Sequence, residues 1–285
     1  MANTAFQTAY RQEFIAGFEA RQSLLRMSVT SEAVIKGNQA TFLIADSGAA
    51  TATTRGVNGL IPARSDNLTQ VTATLEEWHD LARRTRFNIF ASQGDGRRIM
   101  QETTMAVLNR KIDSLIITQL NTGTIATGAA ATASLALVTK AKTILGNASV
   151  PHDGQITGLI TPAFEAYLTQ NVPQFSSADY VTARPVATGE TAWSDQPKMY
   201  SWLGVNWIVH PNLPGKGTNA EKCFLYHRSA IGHAMDMGDA LDVVVGYEEE
   251  QDYSFARCSG FMGSKLLQNS GVIVMNHDGS ALVAS

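Results

Sequence analysis

Three histidines and a cysteine, His210, Cys223, His227 and His233, fall in two neighbouring apolar runs, "MYSWLGVNWIVHPNLPG" (199–215) and "KCFLYHRSAIGHAM" (222–235). Imidazole and thiolate are the usual zinc ligands, and on a strand Cys223 and His227 share a face. Yet neither a CxxC nor an HExxH spacing is present, and a fourth ligand is not evident. These four read as part-buried strand residues, with His210 at a strand end restricted by Pro211. "ADSGAA" (45–50) sets a serine among small residues, but lacks the glycine before the aspartate and a His–Asp pair to serve it. "PGKGTN" (214–219) lacks a hydroxyl residue directly after its lysine and so is a glycine-rich turn, not a phosphate loop. Nowhere does a nucleophile meet a base and an orienter. The expectation is a protein that is not an enzyme, with no cofactor and no metal.

Charge offers the other chemistry. Arg83, Arg84, Arg86, Arg97, Arg98, Arg110 and Lys111 crowd the entry and first half of a long helical segment. They are a solvated face or a strip facing phosphates or another chain, with Arg83, Arg84, Arg97 and Arg98 as its candidate members. Glu248, Glu249 and Glu250, followed by Asp252, form an acidic corner between two strand patterns. Such a corner is a solvated turn or a contact for basic groups on a neighbouring chain.

The elements that must carry these residues follow from periodicity. Thr4 to Arg26 reads as an amphipathic helix, with Phe6, Tyr10, Phe14, Phe18 and Leu25 on one face. "ATFLIA" (40–45) and "VTATL" (71–75) read as strands. The long Gly, Ala, Thr and Ser-rich connection between them makes a hairpin arm with little to bury. "GRRIMQETTMAVLNRKIDSLIITQLNTG" places Met105, Leu108, Ile112, Leu115, Ile116 and Leu120 at spacings of three and four. This predicts a one-striped helix ending near Gly123. A second helix covers "SLALVTKAKTILGNA". "GQITGLITPAFEAYLTQN" gives a strand, a turn and a helix with Pro162 near its start, and a short helix follows near Ser176 to Tyr180. The runs at 199–215 and 222–235 read as paired strands. "LDVVVGY", "YSFARCSGFMGSKLL" and "GVIVMNHD" read as an antiparallel meander.

Composition agrees with a chain that is covered by other chains. Charged residues make up 16% of the 285, against roughly a quarter in ordinary proteins. A net charge of −3 argues against bulk electrostatic binding of nucleic acid. Two cysteines give no disulfide framework and fit a reducing compartment. The first residues, "MANTAFQTAYRQEF", do not read as a secretion signal, and no apolar run approaches the roughly 20 residues of a membrane helix. No membrane partner is expected.

In this order the elements resemble the major capsid proteins of tailed bacteriophages, with their HK-ninety-seven shell fold. The long helix 98–123, the loop 40–75, the late apolar runs and "VVVGYEEEQDYSFARCSGFMGSKLLQNSGVIVMN" carry the resemblance. It implies an α+β capsid fold with five parts. These are an N-terminal arm (1–30), an extended β-hairpin loop (31–80), a peripheral domain with the spine helix (81–133), a mainly axial domain (134–235), and peripheral strands with the C-terminus (236–285). It implies self-assembly through hexamers and pentamers into an icosahedral head in the host cytoplasm, enclosing double-stranded DNA by non-specific contact. Arg55, Leu60, Ile61 and Arg64 at the loop tip would then touch a neighbouring subunit. A separate scaffolding protein, a portal and decoration proteins are further expected partners. Relatives that cross-link use a lysine in this loop, and none lies between Asp46 and Asp66, so a non-covalent shell is expected. An encapsulin-type shell or another phage structural protein is the alternative of the same fold. A soluble hydrolase is a third reading.

Overall fold

The computed structural model describes residues 23–31, 34–47, 50–64, 67–85, 96–173, 200–235 and 241–282. The expected helices at 4–26 and 176–180 lie outside the described residues, apart from a 3-10 turn, Arg26–Ser28, at the end of the first.

In chain order the strands are β1 (Val34–Lys36), β2 (Gln39–Asp46), β3 (Asn67–Thr74) and β4 (Glu76–Thr85). Three helices and a strand follow: α1 (Gly96–Leu120), α2 (Leu135–Asn147), β5 (Ile156–Ile160) and α3 (Pro162–Asn171). The remainder is β6 (Tyr200–Trp202), β7 (Val205–Val209), β8 (Glu221–His227), β9 (Ile231–Met235), β10 (Asp242–Glu248), β11 (Tyr253–Leu266) and β12 (Val272–His277). They form three sheets. One is antiparallel, in the order β1-β2-β3. A second runs β10-β11-β4, with β9 on the far half of β11. The third is β12-β8-β5-β7-β6, in which only β5 and β7 run parallel.

Local chemistry sets the helix ends. Ser134 and Thr161 cap α2 and α3 by accepting the N–H of Leu137 and Phe164, and Pro162 fits the first turn, where its missing N–H costs nothing. In α1 the amide of Gly123 returns to the Leu120 carbonyl and closes the helix three residues short of the glycine. Burial around α1 is wider than a single stripe. Met100, Thr104, Leu108, Ile112, Ile116 and Leu120 are buried, and the exposed positions after its first turn are Arg110, Ser114 and Thr118, four residues apart on one narrow face. The core lies where α1 meets Cys258 and Met262 of β11 and, beyond them, Phe224, Tyr226, Trp202 and Trp207 of the third sheet.

Four strand readings change. The run at 199–215 is a hairpin, because Leu203 and Gly204 both take positive φ (54° and 70°), the backbone of a tight two-residue turn. β7 and β8 are not neighbours, since β5 lies between them. The second run crosses from β8 in one sheet to β9 in another through a 3-10 turn, Arg228–Ala230. β12 leaves the expected meander and pairs with β8, where its fully buried Val272, Ile273 and Met275 extend the core.

Candidate assembly surfaces

The hairpin β2–β3 pairs in continuous register from Gln39↔Thr74 to Asp46↔Asn67, and its tip is described over 50–64. One face packs at the root. Ala40, Phe42, Ala73 and Ala234 form a small separate cluster, and the Phe42 ring lies against Gly232 of β9. A Cβ at Gly232 would sit 2.6 Å from that ring, so only glycine leaves the socket open. The other face and the tip are exposed. Leu43 and Leu68 project from the strands, Leu60 is 74% and Ile61 66% exposed, and Arg55 and Arg64 lie on the same exposed tip. Gly56 and Leu60 close the tip by a backbone bond of 3.0 Å. Contiguous exposed apolar residues of this kind mark interaction sites.

Charge concentrates at one end of the second sheet. Arg83 and Arg84 lie on β4, not at the entry to the helix. The strand was hidden in sequence because its alternating positions carry Glu, His, Asp and Arg in place of aliphatic residues. Glu248 pairs with Tyr253, and Tyr253 with Thr85, so Arg83 and Arg84 on one edge and Glu248, Glu249 and Glu250 on the other stand at the same end of one sheet. The corner is closed by a bond from the Tyr247 hydroxyl to Asp252, which takes a positive φ of 49°. The Arg83 guanidinium lies over the Tyr253 ring at 4.8 Å. Arg98 in the first turn of α1 stands 3.8 Å from Glu102. Arg97 begins the same turn, and its side chain lies outside the described residues. The basic strip is thus divided between a strand and a helix.

The histidines and cysteines are separated. Burial pushes the Cys223 thiol up to about 12, with the Thr161 hydroxyl 3.9 Å away. His227 reaches Ser229 at 2.7 Å and Asp153 at 3.1 Å, and His233 reaches Ser264 at 2.8 Å in a different sheet. The Gln155 N–H is the main reason the Asp153 carboxyl lies below its ordinary range. Among the described residues no group of three or more His, Cys, Asp or Glu is placed to hold a metal ion. Cys258 is likewise buried, its thiol pushed up to about 11 by desolvation and then by the nearby charges of Asp80 and Asp242. Neither thiol is in a state to react as a nucleophile. Among the described residues no helix is long and apolar enough to cross a membrane.

Comparison with known proteins decides what these surfaces belong to. The family described as phage capsid protein matches residues 2–278. The chain belongs to the phage capsid protein family. Its fold is that of solved phage shells. A protein of Mycobacterium phage Che8 is 20% identical with a TM-score of 0.69, over 97% of this chain and 98% of that one. A chain from the capsid of Ralstonia phage GP4 is 12% identical with a TM-score of 0.68, over 96% of both chains. A protein of Gordonia phage Cozz is 12% identical with a TM-score of 0.67, over 99% of this chain and 92% of that one. No curated protein matches the sequence. The phage capsid protein described here is therefore a major capsid shell protein and part of the virion. The encapsulin-type alternative is not favoured.

Proposed function

We propose that this capsid subunit assembles as hexamers and pentamers in the host cytoplasm, encloses double-stranded DNA by non-specific contact, and performs no catalysis. The hairpin is the extended loop, and its tip residues Arg55, Leu60, Ile61 and Arg64 lie on a neighbouring copy. α1 with β4, β10 and β11 forms the peripheral domain. The middle of the chain, joined by β12, forms the axial domain, and residues 1–30 form the arm. Arg83, Arg84, Arg97 and Arg98 meet the genome or a second subunit, and Glu248, Glu249 and Glu250 meet basic groups across an interface. A separate scaffolding protein, a portal and decoration proteins complete the particle.

The observation that carries this reading is the contrast within one hairpin, whose root is packed and whose tip exposes Leu60 and Ile61. Burying an aliphatic side chain contributes about 1.5–3 kcal/mol, and each 1.4 kcal/mol is tenfold in affinity. A Leu60→Ser, Ile61→Ser pair should therefore weaken each tip contact by roughly a hundredfold. The subunit's own unfolding should move by no more than about 0.5 kcal/mol, because the sites are exposed. Particle yield by electron microscopy, beside urea unfolding of the unassembled subunit, checks both halves. Shells at normal yield would overturn the tip assignment.

A further inference from the structure

A buried carboxylate in α1 holds the backbone of residues 24 and 25 and the hydroxyl of Ser23. Asp113 is 3% exposed and directs both oxygens at residues 23–25. Its Oδ1 accepts the Leu25 N–H at 3.1 Å and the Ser23 hydroxyl, and its Oδ2 accepts the Leu24 N–H at 3.1 Å. Ser23 Oγ in turn accepts the Arg26 N–H at 3.2 Å, which starts the 3-10 turn. His210 stands on the remaining side. Its Nδ1 accepts the Asn212 N–H at 3.1 Å, which leaves Nε2 to carry a proton, 3.6 Å from Asp113 Oδ2.

From this post the chain is strapped across two sheets. The Ser28 and Tyr226 hydroxyls share a 2.6 Å bond, Arg228 Nε donates to the Val29 carbonyl at 3.3 Å, and Thr30 exchanges backbone bonds with Ile231 and His233. Leu25 and Val29 are buried beneath the strap. Among the described residues, Asp113 is the first of these fixed points. Both carboxylate oxygens are used as acceptors. An asparagine would turn an NH₂ group towards one of the donors, and a leucine would leave all of them unpaired.

We propose that Asp113 is a positioning residue for shell assembly: its carboxylate fixes residues 23–25 against α1, and through them the place from which the proposed arm reaches a second copy of this chain. The assembly half rests on the shell-subunit reading; the anchoring half does not.

The test uses Asp113→Asn, Ser23→Ala and the double variant of the full chain. Hydrogen exchange of the amides of residues 23–30 is measured in the unassembled subunit, and particle yield in parallel with wild type. In Asp113→Asn, the Leu24 and Leu25 amides should exchange on the order of a hundredfold faster while 112–120 of α1 keep their protection. Shell yield should fall at least about tenfold, the loss of a contact worth one hydrogen bond or more at each copy. Ser23→Ala should shift both readouts in the same direction but less. Adding it to Asp113→Asn should change little, because the two act through one contact. Unchanged exchange at 24 and 25 overturns the anchor. Open amides with wild-type yield overturn its role in assembly. Loss of α1 protection in Ser23→Ala shows a general folding role and overturns the proposal as well. If Asp113→Asn does not fold, the hydroxyl variant decides alone. Shells from the wild-type chain separate these outcomes from a failure of the shell-subunit reading.

Discussion

Glu221 and His277 are both without exposure and 2.7 Å apart, and Glu221 also accepts the Thr161 hydroxyl and the Gly217 N–H. Phe164 and Tyr167 meet the His277 ring edge-on. This cluster ties the end of β12, the start of β8 and the cap of α3 at one point. Removing one member leaves the other buried without its partner, which typically costs about 3–5 kcal/mol. His277→Ala should therefore lower urea stability by that order, while a surface change such as Thr118→Ala should not. The buried thiol gives a second prediction. The Cys223 pKa rises from 9.0 unfolded to about 12 folded, so between these values the native state binds more protons than the unfolded one. The thiol's contribution is fully present below about pH 9 and is lost as pH rises through this window. Tyr226, also raised by burial, acts in the same direction at the alkaline end. Denaturant midpoints taken from pH 8 to 11 should fall, and less so in Cys223→Ala after allowing for its cavity.

The hairpin is the element whose fate was clearest in sequence, because two β-prone runs framed a tip with little to bury in its own chain. Helix α1 and the start of α3 at Pro162 were legible from equally local signals, whereas the caps at Ser134 and Thr161 emerged only in the structure. What sequence concealed was non-local. Nothing in "GVIVMNHD" says that it pairs with β8 and not β11, since both partners are apolar strands. β4 carries its alternation in charged residues, and the Leu203–Gly204 turn hides inside an apolar run. Among site residues, the exposed tip was readable from its composition. Asp113 was not singled out, although a carboxylate on the apolar face between Ile112 and Ile116 was the available signal. At this scale Gly232→Ala should displace Phe42 and loosen the hairpin root. Hydrogen exchange of β2 and β3 should rise while β10 and β11 remain protected, and assembly should fall even though the tip residues are intact.

Across the whole molecule, the acidic corner and Arg83 with Arg84 occupy opposite edges at one end of one sheet. If copies meet there, reversing Glu249 and Glu250 to arginine should block assembly, and reversing Arg83 and Arg84 to glutamate in the same chain should restore it in part. Particle counts by electron microscopy give the answer, and no recovery would place the two sets in separate contacts. Residues 46–66 include no lysine, so mature particles boiled in detergent should run as monomer without a ladder. The hairpin itself has a genetic consequence. Its root is packed independently of its tip, so, if the tip lies on a neighbouring copy as proposed, a chain with a ruined tip should still fold into a normal body that can receive a neighbour's arm while offering none in return. Such an allele, expressed beside the wild type, would enter growing rings and stall them, so that a minority of faulty copies spoils the progeny of a whole infection and the defect is inherited as dominant.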